Sequence, residues 1–238
     1  VQQNKVRSYR GFSFRFASFT QTMSDLITMF GQWDTLTKSL GTTEKVRDDW
    51  WNIIVRRYSE EWRFYHTLTH IEQLLQLYNQ WKERIAELEN VLLAIFFHDI
   101  VYDPMASDNE MRSIEVFKKF ALDANLTQNV MARISNMIEA TISHSAENRQ
   151  TDLDLCLFLD FDLAILGQDV DVYKQYTENI RREYIHYDDA AYRDGRIKVL
   201  TSLLNSSSLY ATEELQEEYE KQARRNILEE IASLQSQN

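Results

Sequence analysis

One proline (Pro104), five glycines and one cysteine (Cys156) in 238 residues leave little material for turns or cross-links. A sheet protein with many short strands needs Gly and Pro at each turn, so an all-β sandwich is excluded in favour of long helices joined by short polar connections. A single cysteine excludes any disulfide within the chain. It lies inside the apolar run 155–159, where a buried, inert thiol is expected. No stretch reaches the ~18 consecutive apolar residues of a membrane span. Positive charge is also short, with 26 Lys and Arg against 37 Asp and Glu and a net charge of −11. That balance argues against nucleic-acid polymers and anionic membranes as partners, although a small anionic ligand needs only a local basic pocket. Residues 1–20 mix Arg7, Arg10 and Arg15 with Phe12, Phe14 and Phe16 but hold no apolar core of a secretory signal. The expectation is a poorly ordered segment over 1–20, one domain over 21–238 and a cytoplasmic location. Without a secretory signal, the sequons at Asn125 and Asn205 carry little meaning.

What is present is helical periodicity from about residue 22 to 235. Ser24 can cap a helix running through Trp33, and Thr42 or Thr43 a second containing Val46, Trp50, Ile53 and Ile54. Ile71, Leu74, Leu75 and Tyr78 form one apolar stripe on a helix expected from His66 to about Leu88. Residues 91–97 (VLLAIFF) are apolar without interruption, which predicts a helix buried on all sides. A loop follows at 103–107, with Ser107 or Asp108 as the next cap. Further helices fit about 127–143, 152–166, 169–187, 190–205 and 212–235, and Gly167 stands where a left-handed C-cap is usual. No repeat or linker interrupts the pattern.

Polar residues in the apolar segments carry the chemistry. His66 and His70 are spaced i, i+4, on one face of the expected helix start. His98 and Asp99 directly follow VLLAIFF, and Asp160 and Asp162 interrupt the equally apolar segment LCLFLDFDLAILG. An ionised carboxylate in such surroundings is costly unless a cation or several donors compensate it. A lone buried histidine reads as a hydrogen-bonded core residue. Three apolar segments, each carrying His or Asp inward, point instead to a shared divalent metal that compensates all of them. Two imidazoles and two carboxylates suit Mn, Fe, Co, Ni, Zn or Mg. Asp160 and Asp162 lie about 200° apart on a helix, so both cannot face one ion.

The order His70, His98-Asp99, Asp162 resembles the HD superfamily of metal-dependent phosphohydrolases. The segments YHTLTHI (65–71), FFHDIVYD (96–103), DNEMRS (108–113), DFDLAILG (160–167) and IRREY (180–184) resemble one uncharacterised subgroup, over about 63 to 225. The resemblance implies an all-α, single-domain HD-type fold with a metal site buried between helices. The ligands it implies are His70, His98, Asp99 and Asp162, since the context of Asp162 suits the last ligand better than that of Asp160. The Tyr-His-x-x-x-His start is similar to cyclic nucleotide phosphodiesterases, which makes His66 the candidate general acid. HDIVYD is similar to the His-Asp-x-x-Glu-Asp of guanosine tetraphosphate hydrolases, which makes Asp103 a candidate base, with Tyr102 in place of their Glu. The phosphodiesterase residues for a second metal are replaced here by Ile100, Val101 and Tyr102, so one ion is expected.

His144 matches a substrate-contacting histidine of many members, or else interacts with the dipole of the helix it ends. Glu110 and Arg181 are candidate substrate-binding residues. A guanidinium at Arg181 suits a phosphate, though it could instead pair with Glu183 or another acid. The implied activity is hydrolysis of a phosphate ester, of a nucleotide or another small phosphorylated metabolite, with self-association left open. The alternatives are a non-catalytic metal- or nucleotide-binding HD module and a di-iron HD oxygenase.

Overall fold

The computed structural model describes residues 23–143 and 152–236, and among these every regular element is helical. The expected segment 1–20 and His144 lie outside the described residues. The centre is α4 (Leu88–Phe97), whose residues from Asn90 onward are all buried, as its uninterrupted apolar run demands. Packed directly against it are α3 (Leu68–Trp81), α5 (Asn109–Asp123), α6 (Gln128–Ala140) and α7 (Leu153–Leu163). Two earlier helices, α1 (Met23–Ser39) and α2 (Glu44–Arg57), close one side and send Trp33 and Trp50 into an aromatic cluster with Phe96, Phe97 and Phe120. On the other side lie α8 (Val170–Glu183), α9 (Asp189–Asn205) and a final run of α10 (Glu213–Leu215), a π segment (Gln216–Glu220) and α11 (Lys221–Ser236). One contiguous core links buried residues from α1 to α11. Among the described residues, no helix is long and apolar enough to cross a membrane.

Local chemistry accounts for most boundaries. Thr43 and Thr127 cap α2 and α6, accepting from the N–H of Val46 and of Val130. Asp108 stands at the N-cap position of α5, but its side chain makes no capping bond. α1 runs past Trp33 and stops at Gly41, whose φ of 71° lets Thr42 N–H reach back to the Thr37 carbonyl at 3.0 Å.

Two expectations need correction. Gly167 is not left-handed. It ends a 3₁₀ turn (Ala164–Gly167), and a Cβ there would lie 2.5 Å from Cβ of Tyr219, so close approach of the π segment is what requires glycine. Likewise α3 begins at Leu68, capped by Thr67, so His66 precedes the helix. The reason lies in α8: Glu183 captures the N–H groups of Phe64, Tyr65 and His66 and holds that stretch outside the helix.

Candidate metal centre

Three helices converge on one small volume. α3 brings His70 into it, the residues just past α4 bring His98 and Asp99, and the last turn of α7 brings Asp162. Both His70 and His98 are almost wholly buried. Their Nε2 atoms lie 3.2 Å apart. Asp162 Oδ1 is 3.2 Å from His70 Nε2 and 3.7 Å from His98 Nε2, and Asp99 Oδ2 is 3.2 and 3.8 Å from His98 and His70 respectively. Ligands about 2.1 Å from one ion stand about 3.0–3.4 Å apart at tetrahedral or octahedral angles, so the shorter of these separations fit a common cation. His70, His98 and Asp99 form a group able to hold a metal ion, with Asp162 Oδ1 at its edge.

The ring of His98 is set for such a role. Its Nδ1–H donates to the Ile95 carbonyl at 2.9 Å, which turns Nε2 toward the cluster, where a bound cation would take the place of its proton. His70 departs from that pattern, because its buried Nδ1 has no hydrogen-bond partner among the described residues. Electrostatics separates the two rings. Burial pushes His70 down, and for His98 the same burial is outweighed by Asp99 and Asp162, which lift it to about 9. Burial would raise Asp99, but the charge of His98 and its hydrogen bond hold the carboxyl well below the usual range.

Beside this cluster sits a second unit, built around Glu183. Its Oε1 accepts three successive backbone N–H groups, from Phe64, Tyr65 and His66, at 2.7, 2.8 and 3.0 Å. Its Oε2 accepts His66 Nδ1–H at 2.7 Å and the Tyr102 hydroxyl at 2.8 Å. Tyr102 also stacks on the His66 ring, with centroids 4.2 Å apart. With Nδ1 held by Glu183, His66 turns Nε2 toward the metal cluster, 3.9 Å from Asp99 Oδ2. Burial opposes the charge on both members of the pair, but each stabilises the other: His66 is raised, and Glu183 is held down to about 2.

The remaining sequence-predicted residues are placed elsewhere. Asp103 accepts from Met105 N–H at 2.9 Å and shapes its own loop, and no hydrogen bond or ion pair joins it to the cluster. Arg181 does not meet Glu183 among its hydrogen bonds. Instead it ties the α8–α9 turn, donating to the carbonyls of Tyr184 and Tyr187 and to Asp189 Oδ1 at 2.8 Å. Glu110, half-buried in the first turn of α5, makes no hydrogen bond or ion pair among the described residues. Asp160 faces away from the histidines: it accepts from Ala211 N–H, Thr212 N–H and the Thr212 hydroxyl at 2.7–2.8 Å, anchoring the start of α10.

Glu183 is the functional candidate for which the sequence offered no role. Its signal is a carboxylate three residues after Ile180 on the buried stripe of α8, where an apolar residue is expected. Comparison with protein-family models, with curated proteins and with solved structures gives no match for this chain.

Proposed function

We propose that this chain is a metal-dependent phosphohydrolase of HD type, acting on an ester of a nucleotide or another small phosphorylated metabolite. The observation that carries the reading is the pairing of two units: a nitrogen and oxygen cluster spaced for one cation, and a carboxylate-held histidine turned toward it. The order of the motifs around these residues, which resembles the HD superfamily, supports it further. His70, His98, Asp99 and Asp162 would hold a divalent ion. Such an ion, when bound, acidifies water and polarises a phosphoryl oxygen. Glu183 keeps the proton of His66 on Nδ1 and stabilises the imidazolium, so Nε2–H is the donor available to a leaving oxygen. As the ester P–O bond breaks, that proton passes to the departing alkoxide. Water supplies the new P–O bond, its proton leaves to solvent, and solvent restores the imidazolium. The scheme uses no contact from Asp103, whose side chain accepts from Met105 N–H in its own loop.

Two measurements test the proposal together: elemental analysis of metal per chain, and phosphate release from a panel of phosphomonoesters and nucleotides with Mn, Co, Ni and Mg. One ion per chain and release that Asp99→Ala abolishes are expected. Metal without turnover on any substrate would favour a binding module, and two irons with oxygen consumption would favour an oxygenase. The leaving group tests the acid. His66→Ala should keep its metal and lose about 10²–10⁴-fold in rate on alkyl phosphates. It should lose much less on p-nitrophenyl phosphate, whose phenolate departs without a proton. Asp162→Ala should depress both substrates alike.

A further inference from the structure

One buried cation touches both halves of this site and belongs to neither. Arg63 is 3% exposed. Its Nε donates to Glu60 Oε2 at 3.1 Å, and Nη1 donates to the carbonyls of His66 at 3.1 Å and Asp99 at 2.7 Å. Nη2 donates to the Ile100 carbonyl at 3.2 Å. The rings of Tyr58 and Tyr102 lie against the guanidinium, 5.0 and 5.4 Å from its carbon. Burying a guanidinium is costly even when it is well hydrogen-bonded, and an apolar side chain would fill the same volume without that penalty. Its value therefore lies in what it joins.

The acceptors identify the role. Two of the three carbonyls belong to His66 and Asp99, one residue from each unit of the centre. Both sit on main chain outside the regular part of a helix: His66 ahead of α3, and Asp99 beyond the end of α4. Neither stretch has a helical ladder to hold it, and one nitrogen of Arg63 bonds both. A lysine has a charge but no planar fork, so it cannot reproduce these bonds together.

We propose that Arg63 is a positioning residue of this centre, locking the main chain of His66 to that of Asp99 and so fixing the spacing of the acid from the metal ligand. The inference rests on reading the cluster as a metal centre with His66 beside it. Its expected consequence is a chain that folds without Arg63 but carries a loosened site.

Arg63→Lys tests this, with Co²⁺ as the probe. The variant should give native helical circular dichroism and a cooperative melt, yet bind Co²⁺ about 10- to 100-fold more weakly, as removal of groups that orient ligands does elsewhere. The visible bands of bound Co²⁺ should shift. In the metal-free protein, the His66 Nδ1–H ¹⁵N signal should lose the pattern of a proton held by a carboxylate. A folded Arg63→Lys with wild-type Co²⁺ affinity and spectrum would overturn the proposal. If Arg63→Lys does not fold, Glu60→Gln decides, because it leaves the guanidinium in place and weakens its Nε anchor. Weaker Co²⁺ binding then supports the role, and unchanged binding overturns it. If the wild-type chain itself binds no Co²⁺, the metal reading fails separately, and the ¹⁵N pattern alone judges Arg63: loss in the variant supports the proposal, retention overturns it.

Discussion

Carboxylates of the core and of the centre divide into two kinds, and the division decides what each substitution does. Asp154, Asp160 and Glu183 accept backbone N–H groups from distant segments, whereas Asp99 and Asp162 lie among imidazole nitrogens. Asp160→Ala should therefore leave metal stoichiometry unchanged while destabilising the fold by about 1–3 kcal/mol, since it strands buried donors at Ala211 and Thr212. Asp162→Ala should instead lose the metal. Elemental analysis and urea melts on the same two proteins check both halves. Glu183 adds a pH dependence. Its carboxyl is held down to about 2 from an ordinary 4.5, so its contribution is complete above the ordinary value and is lost as pH falls toward 2. His66 runs the other way: its pKa is raised, and its contribution fades as pH rises through the raised value. In Glu183→Gln the loss of stability between pH ~4.5 and ~2.5 should be shallower than in wild type, as read from urea midpoints. The sequence marked Asp99, Asp160 and Asp162 as unusual, because they lie in or directly after apolar runs. It could not say which carboxylates would find N–H donors, since such partners stand up to 119 positions away, as for Glu183.

Helices were legible wherever one face or all faces were apolar, and α4 follows its seven-residue run closely because nothing else in the chain competes for those positions. Boundaries failed where a remote side chain or backbone intervened. The start of α3 was displaced by a carboxylate on α8, and Gly167, which by position suits a helix end, answers instead to contact with the π segment. That contact carries its own prediction. In Gly167→Ala the added methyl meets Tyr219 Cβ at 2.5 Å and its backbone oxygen at 2.8 Å, atoms that cannot swing aside as a flexible side-chain end can. The variant should lose about 2–3 kcal/mol, in the range of overpacked cores. Gly31→Ala, with nothing within 4 Å of the new methyl, should be neutral or slightly stabilising because alanine favours helix. Thermal melts of the pair would expose the difference.

For the molecule as a whole, one core and one centre share α4. Phe97 is completely buried between Trp50, Phe117 and Phe120, so Phe97→Ala should cost about 3–5 kcal/mol and lower the melting temperature seen by every probe together. The proposed metal, held by residues from three helices, would bind only the folded chain. At a hundred times its dissociation constant it should add about 2.7 kcal/mol of stability, and a chelator should remove it. The dispersal of those residues also sets a timetable. His70 and His98 are made early, but Asp162 and Glu183 come from the last third of the chain. At about 5–20 residues per second, a ribosome takes on the order of ten seconds to get from the first histidine to the last aspartate. Throughout that interval the VLLAIFF helix has no α7 to cover it, and the nascent protein displays its greasiest segment beside an unfinished cluster of imidazoles and carboxylates. Chaperone demand during synthesis should therefore peak before residue 162 emerges and fall once it has.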